Sequence, residues 1–297
     1  MNAGKMEYLI EDSKSNLKSR KTKSLILKGL VWICGLITVL ILVSILLFIL
    51  IRGIPNINME FLFGSYNSES LSAFSSIVTT IIMIVLSLAI AVPIGVFCAI
   101  YLTEYAKRGN KAVKVIRLAV DTLAGIPSII YGLFGMIFFV TLLGFKTSVL
   151  SGVCTLSIMI LPIIISSSEE AIKSVPDIYR EGSLGLGASR LRTVFKIVLP
   201  SAMPGILAGV ILAIGRIVGE TAALIFTSGT NVLKTPTLDL FASQRTLAIH
   251  MYMLASEGLP HSKDMAFATG TVLIIIVFIV NFATTKLANK LGRLNNE

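Results

Sequence analysis

Long apolar segments separated by short polar ones dominate the chain from residue 29 onward. About 20 apolar residues, rising 1.5 Å each in a helix, cross the ~30 Å hydrocarbon core of a bilayer. The pattern predicts an all-α, six-span polytopic membrane protein with spans at approximately 29–51, 77–103, 117–143, 148–168, 202–227 and 266–288. The same pattern divides the chain into a basic arm at 1–28, a transmembrane domain at 29–288 with a long polar loop at 169–200, and a tail at 289–297.

The composition excludes a soluble or a disordered protein. Hydrophobic residues make up 55% of the 297 residues and charged residues only 14%, against about 25% charged in soluble domains. The cysteines Cys34, Cys98 and Cys154 each lie in an apolar run, so we expect small apolar core residues rather than disulfides or a zinc site. The first apolar stretch, about 23 residues long, exceeds a signal-peptide core, and we expect no cleavable signal.

The positive charges indicate an orientation. Of the 26 Lys and Arg residues, 20 fall in the N-terminal arm, the loops after spans two and four, and the tail, and 5 fall on the other side. By the positive-inside rule, both termini are expected in the cytoplasm and the protein in the cytoplasmic membrane. The net charge of +10 is then explained by orientation and by contact with membrane lipids, without nucleic acid.

Span three contains a helix-breaking sequence, Gly125-Ile126-Pro127-Ser128-Ile129-Ile130-Tyr131-Gly132. Proline removes a backbone donor, and such a break is tolerated in a membrane only where protein or a water-filled cavity satisfies the freed groups. Gly125, Pro127 and Gly132 therefore form either a packing kink or a hinge and wall of a substrate path. One turn earlier, Asp121 is expected to pair with Arg117 at i,i+4 rather than act in a proton relay.

Span five contains the charged residues Arg216 and Glu220. A charge at the bilayer centre costs about 2.5–3.5 kcal/mol, so such residues normally face the bundle interior or a wet cavity. At i,i+4 the two would share a helix face and form an ion pair. This pair is either a structural salt bridge or a polar path, in which Glu220 holds Arg216 and the guanidinium receives a multiply charged oxyanion.

The loop at 169–200 carries a recognisable motif. Glu181-Gly182-Ser183, Gly187 six residues after the glutamate, and Ile197-x-Leu199-Pro200 reproduce the spacing of the EAA loop, and the chain resembles permease subunits of bacterial ABC importers. Gly182 and Ser183 depart from the alanines of that motif, but both are small. The resemblance implies a type I, MetI-like fold with a cytoplasmic coupling helix in the loop at 169–200. The residues expected to couple to a separate ATPase are Glu181, Gly182, Ser183, Gly187, Ile197, Leu199 and Pro200.

Further segments resemble the phosphate ABC transporter permease of PstA type over roughly residues 25–290; they are residues 125–132, 175–180, 216–224 and 245–248. Ala223 stands where that family frequently has proline. The resemblance implies that inorganic phosphate is transported and that intramembrane basic residues such as Arg216 contact it. We expect Arg216, Glu220 and Thr221 to lie on its path. The resemblance also implies three partners, namely a sister PstC-type permease, a cytoplasmic ATPase dimer and an extracytoplasmic phosphate-binding protein. Small residues at Gly205, Gly209, Gly215 and Gly219 are consistent with span five facing the sister subunit.

Several motifs are absent from the sequence. It contains no G-x-x-x-x-G-K-[ST], H-E-x-x-H or G-x-S-x-G. We therefore expect no catalytic residue, no metal and no cofactor on this chain, with ATP and Mg²⁺ on the ATPase. The alternatives are a permease for sulfate, molybdate or phosphonate, a membrane-embedded enzyme, or a gradient-driven secondary transporter. The last usually has broken helices in both halves, whereas the sequence suggests one break, in the first half.

The outer loop at 228–265 contains the apolar stretch Phe241–Ala255, which predicts an interfacial helix. His250 and His261 are the only histidines, and their isolation makes them poor metal candidates. This loop is expected either to meet the binding protein or to form a lid over the bundle.

Overall fold

A computed structural model describes residues 3–67, 70–107, 109–256, 258 and 262–293, with side chains between residues 24 and 286 of these ranges. His261 lies outside them. The described backbone contains no strand, which confirms the all-α prediction. Its helices are α1 (Ala3–Gly53), α2 (Met59–Phe63), α3 (Phe74–Ile100), α4 (Lys111–Ala124), α5 (Ser128–Gly135), α6 (Val149–Ser174), α7 (Asp177–Gly185), α8 (Arg190–Thr193), α9 (Leu199–Val218), α10 (Ala222–Thr227), α11 (Leu247–Ser256) and α12 (Ser262–Arg293).

Among the described residues, five helices are long and apolar enough to cross a membrane, and there are six such segments if a bent helix pair is counted as one span. Five are continuous: Ser24–Asn56, Phe74–Tyr105, Val149–Ser174, Arg190–Val218 and Ser262–Lys286. The sixth consists of Lys111–Ala124 and Ser128–Leu142, which meet at 104°. The break predicted around Pro127 is therefore a sharp turn between two helices rather than a gentle kink.

Helix α6 is the centre of the bundle. In its most apolar stretch 67% of the residues are buried, against 28–39% in the spans built on α3, α9 and α12. Small residues allow its neighbours to approach closely, since packing rather than water exclusion drives helix association in lipid. A Cβ at Gly95 of α3 would lie 2.6 Å from Ile164, and one at Gly205 of α9 would lie 2.6 Å from Ala171.

The sequence suggested that the small residues of span five face a partner subunit, but not all of them do. Gly205 and Gly209 face Ala171 and Ser167 of α6 in the same chain. Gly215 has no neighbour that a Cβ would meet within 4 Å. The spacing of glycines marks a close helix contact but does not specify which helix supplies the other side.

Residues Met1–Ile51, which contain most of α1, form a compact unit distinct from Arg52–Glu297. Side chains from Ser24 to Phe48 of α1 are exposed. The expectation that Cys34 is a core residue is therefore wrong, while Cys98 and Cys154 are half-buried, and all three are free thiols. Lipid tails are as apolar as a protein interior, so hydrophobicity alone does not separate the two environments.

The helix predicted at 202–227 is broken. Helix α9 ends at Val218, and Thr221 has non-helical dihedrals (φ −121°, ψ −51°) before α10 begins. A second break at Gly219–Thr221 thus accompanies the first at Gly125–Pro127. The expectation of a single break is wrong, and it no longer argues against a gradient-driven transporter.

The two short helices that follow the breaks pack against each other. Gly132 of α5 lies against the backbone of α10, where an added Cβ would come within 2.7 Å of the Ala223 Cα and 3.0 Å of its carbonyl oxygen. Backbone atoms cannot rotate away as a side chain can. The close approach of the two broken segments therefore depends on glycine at position 132.

We predict that Gly132→Ala lowers the stability of the chain by about 1–3 kcal/mol, the usual effect of overpacking a filled site. The measurement is the thermal unfolding midpoint of the purified protein in detergent. Gly35→Ala is the matched control, because Gly35 has open space within 4 Å. Equal midpoints for Gly132→Ala and the wild type would contradict the proposed contact.

Candidate functional site

The first break is closed by hydrogen bonds within the chain. The Gly125 and Ile126 amides donate to the Thr122 and Leu123 carbonyls, each at 3.1 Å. The Tyr131 hydroxyl of α5 donates to the Leu123 carbonyl at 2.7 Å and so joins the two helices across the turn. A role for Tyr131 is not apparent from the sequence, where the only signal is one hydroxyl in an apolar run.

The second break is closed by Glu220. Its side chain is buried, and Oε1 accepts a hydrogen bond from the Ala223 amide at 3.1 Å. The first amides of a helix lack intrahelical partners and favour a negative group nearby. Glu220 therefore serves as an acceptor for the start of α10.

The expected ion pair between Arg216 and Glu220 does not form. The i,i+4 argument requires a continuous helix, and α9 ends at Val218, between the two residues. Arg216 has no hydrogen bond or ion pair with any described residue, and its Nε atom is buried without a partner. Thr221 lies in the break and donates only a long, 3.5 Å hydrogen bond to the Gly219 carbonyl.

Arg216 also lies within electrostatic reach of the Tyr131 phenol, which belongs to the first break. The structure thus brings Arg216, Glu220 and Thr221 of one break near the helix that contains Gly132. This arrangement is a partnerless guanidinium beside two interrupted helices. Chemically, it offers several N–H donors and a full positive charge with no counter-ion from the described part of the chain.

Arg117 pairs with α6 and not with Asp121, which corrects the i,i+4 prediction. Its Nη2 atom lies 2.7 Å from Oε1 of Glu169, and the same oxygen lies 2.6 Å from Nζ of Lys173. The sequence predicts Glu169 in the loop, but α6 continues to Ser174, and this carboxylate lies against α4. Arg117, Asp121, Glu169 and Lys173 line one cavity of about 220 Å³.

The motif residues surround a surface cavity of about 550 Å³ lined by Gly182, Ser183, Gly187 and Ile197. The hydroxyl oxygens of Ser183 and Thr193 lie 2.9 Å apart and join α7 to α8. Exposed apolar side chains border the cavity, with Ile178 at 72% and Leu186 at 91% exposure. An apolar concave surface of this kind is suited to contact with another protein.

The other motif residues occupy three positions. Glu181 is exposed on α7. Gly187 follows α7 with φ +84°, a left-handed conformation that favours glycine. Leu199 and Pro200 are the first residues of α9, which continues from a π-helical turn at Val194–Val198. The motif glycine therefore follows the end of α7, and the motif proline lies inside the next span, Arg190–Val218.

A second polar cluster lies in the outer loop. Nε of Arg245 donates to Nδ1 of His250 at 3.0 Å, and the guanidinium lies over the Tyr66 ring at 5.3 Å from its centroid. The Thr79 hydroxyl of α3 donates to Oε1 of Gln244 at 2.8 Å. Leu247, Ile249 and Leu254 of α11 are fully buried, so one face of this helix packs on the bundle.

Burial and the adjacent Arg245 charge lower the pKa of His250 to about 3, against an opposing contribution from the Leu71 backbone. His250 is therefore neutral at physiological pH. Among the described residues, no group of three or more His, Cys, Asp or Glu side chains is placed to hold a metal ion. The cluster thus serves as a polar contact between the loop and α3.

Residues 91–293 match the family described as binding-protein-dependent transport system inner membrane component. The chain is 32% identical over 281 residues to the probable ABC transporter permease protein YqgI of Bacillus subtilis (strain 168), covering 89% of this chain and 95% of that protein. It is 30% identical over 255 residues to the phosphate transport system permease protein PstA of Pasteurella multocida (strain Pm70), covering 85% and 86%.

Two solved structures share the fold. One is a bacterial alginate ABC transporter in complex with an alginate pentasaccharide-bound periplasmic protein (TM-score 0.65, 15% identity, 91% of this chain and 94% of that chain). The other is the MetNI methionine ABC transporter in inward facing conformations (TM-score 0.57, 20% identity, 74% and 94%). At these identities the likeness concerns the arrangement of helices.

We predict that stability falls on acidification through His250. Its pKa of about 3 in the folded chain lies below the ordinary value of 6.5, so only the unfolded state takes up this proton between those values. The contribution of neutral His250 to the free energy of unfolding is complete above pH 6.5. It is lost as the pH falls towards 3, at up to about 1.4 kcal/mol per pH unit. Thermal unfolding between pH 7 and pH 4.5 measures it. His250→Asn should show a shallower dependence, and equal slopes would contradict the prediction.

Proposed function

Because this chain belongs to the family of binding-protein-dependent transport system inner membrane components, we propose that it carries inorganic phosphate through an ATP-driven importer. The chain is a permease subunit of an ABC importer and a multi-pass protein of the inner membrane. The finer proposal, phosphate, is supported by relatives named as phosphate permeases, such as PstA of Pasteurella multocida. The observation that carries it is the partnerless Arg216 beside the two helix breaks.

Arg216 is the proposed contact for the anion. A guanidinium presents its donors in a planar fork that matches two phosphate oxygens. Glu220 makes no ion pair with Arg216, and its Oε1 atom accepts a hydrogen bond from the Ala223 amide. A cation left without a partner in a membrane segment is costly, and a passing anion offsets that cost while it is bound.

The two breaks supply the rest of the proposed path. Non-helical backbone at membrane depth is tolerated where it lines a cavity or is covered by protein. Gly125, Pro127 and Gly132 are proposed to form the wall and hinge on one side, and Thr221 to add a hydroxyl on the other. The contact of Gly132 with Ala223 makes these two sides move together.

ATP is proposed to act from outside this chain. A cytoplasmic ATPase dimer would dock on the cavity formed by Gly182, Ser183, Gly187 and Ile197, beside the exposed Glu181. This chain then binds no cofactor and has no catalytic residue, since ATP and Mg²⁺ stay on the ATPase. The ATPase shifts the permease between two states only as far as it contacts them differently.

The proposed assembly places both termini and the α7 surface in the cytoplasm, next to the ATPase. A sister PstC-type permease completes the path. An extracytoplasmic phosphate-binding protein delivers the anion at the opposite end, where α11 and the Arg245 cluster lie. Gradient-driven transport and transport of sulfate, molybdate or phosphonate are the competing outcomes of the experiments below.

We predict that Arg216→Ala reduces ATP-dependent phosphate uptake by about 10- to 150-fold, the equivalent of losing a hydrogen bond to a charged group worth about 1.5–3 kcal/mol. Uptake of radiolabelled phosphate into right-side-out vesicles measures it, with and without internal ATP. Glu220→Gln should retain most uptake, because an amide oxygen still accepts from the Ala223 amide. Unchanged uptake by Arg216→Ala would refute the path. Uptake that follows an ion gradient, or that excess sulfate, molybdate or phosphonate abolishes, would refute the ATP-driven phosphate proposal.

We predict that Gly187→Ala weakens ATPase binding. A Cβ at φ +84° meets no neighbour, so its cost is the backbone strain of about 1–2 kcal/mol, equivalent to about 5- to 30-fold in affinity. The measurement is the amount of ATPase recovered with the tagged permease as the ATPase concentration is raised. Gly185→Ala is the matched control, because Gly185 is equally open but lies within α7 without a positive φ. Equal recovery for the two variants would contradict the assignment.

A further inference from the structure

A buried carboxylate lies where span two meets the motif loop. Glu104 is 7% exposed and belongs to the π-helical turn Tyr101–Tyr105, which extends α3. Its Oε1 atom accepts hydrogen bonds from Nε and Nη2 of Arg180, at 2.9 and 2.8 Å. Arg180 is on α7, 76 residues further along the chain. This ion pair joins span two directly to the helix that carries Glu181 and Gly182.

The same guanidinium also holds the end of α6. Nη1 donates to the Val175 carbonyl at 2.6 Å, and Nη2 donates to the Ile172 carbonyl at 2.8 Å. The last carbonyls of a helix have no intrahelical donor and favour a cation. Arg180 therefore connects three elements through one planar group: α7, the end of α6 and the end of span two.

A second arginine reinforces the contact from the other side of the loop. The Arg190 guanidinium of α8 donates to the Glu104 backbone carbonyl and lies over the Tyr105 ring, 5.4 Å from its centroid. The contrast with Asp177 is informative. That carboxylate also bonds to Arg180, at 3.1 Å, but it is 83% exposed and is therefore worth little.

We propose that Glu104 is a positioning residue that makes α7 and span two move as one body, so that a movement of the docked ATPase reaches span two directly. This proposal rests on the proposed function. Along the chain, α7 lies between Pro176 and the open Gly187, so the buried ion pair supplies a link to span two that the backbone does not. Coupling between two sites requires such a physical connection between elements that have two arrangements.

The test uses the assembled complex of this chain with its ATPase, sister permease and binding protein in proteoliposomes. The quantity measured is phosphate taken up per ATP hydrolysed, together with ATPase recovery and the thermal unfolding midpoint. The variants are Glu104→Gln, which removes the charge, and Glu104→Asp, which keeps the charge but shortens the side chain by one methylene. Asp177→Asn is the matched control, because it removes the exposed carboxylate on the same arginine.

We expect Glu104→Gln and Glu104→Asp to retain ATPase recovery and ATP hydrolysis while uptake per ATP falls by about 5- to 150-fold, the range of typical coupling. Asp177→Asn should keep the wild-type ratio. The proposal is overturned if Glu104→Asp transports at the wild-type ratio. It is also overturned if uptake, hydrolysis and the unfolding midpoint of Glu104→Asp fall together, since the residue would then be structural only.

The two proposals fail in different ways. If the wild-type complex hydrolyses ATP but takes up sulfate and not phosphate, the anion assignment is wrong. The uptake ratio of the Glu104 variants can then still be measured with sulfate. If the wild-type complex transports phosphate and the Glu104 variants keep its ratio, the role of Glu104 alone is refuted.

Discussion

Backbone polar groups that leave a helix inside a membrane must find partners within the protein, and this constraint shapes the region around the two breaks. Tyr131 meets it at the first break by donating to the Leu123 carbonyl. Glu220 meets it at the second by accepting from the Ala223 amide. The Glu220 carboxylate contacts the start of α10, and Arg216 makes no ion pair with it or with any other described residue. The partnerless cation therefore lies beside the second helix break.

Local patterns in the sequence predict the fold well. A membrane span is a run of about 20 apolar residues, and Pro127 predicts the break in span three. Both features can be read from the sequence because each depends only on residues within one segment. The break at Gly219–Thr221 has no proline, so the apolar run appears continuous and places Arg216 and Glu220 on one helix face. Because of this break, Glu220 bonds to the Ala223 amide at the start of α10 and does not form the expected ion pair with Arg216.

Contacts between distant segments lie beyond the reach of the sequence. Arg117 was assigned to Asp121, four residues away, because only near neighbours are visible along a chain. Its true partner, Glu169, is reached only when α4 and α6 pack. The pairing of Glu104 with Arg180 is hidden for the same reason. Four residues of the EAA motif, by contrast, line one cavity beside α7 and α8, because they are close along the chain; they are Gly182, Ser183, Gly187 and Ile197.

The unpaired guanidinium of Arg216 also bears on how the membrane stays electrically sealed. A fixed positive charge repels any second cation brought beside it, and this repulsion is strong where water is scarce. The Arg216 charge therefore disfavours sodium, potassium and hydronium ions beside it and attracts anions. In the proposed phosphate path, such a charge would allow repeated opening without letting cations discharge the membrane potential.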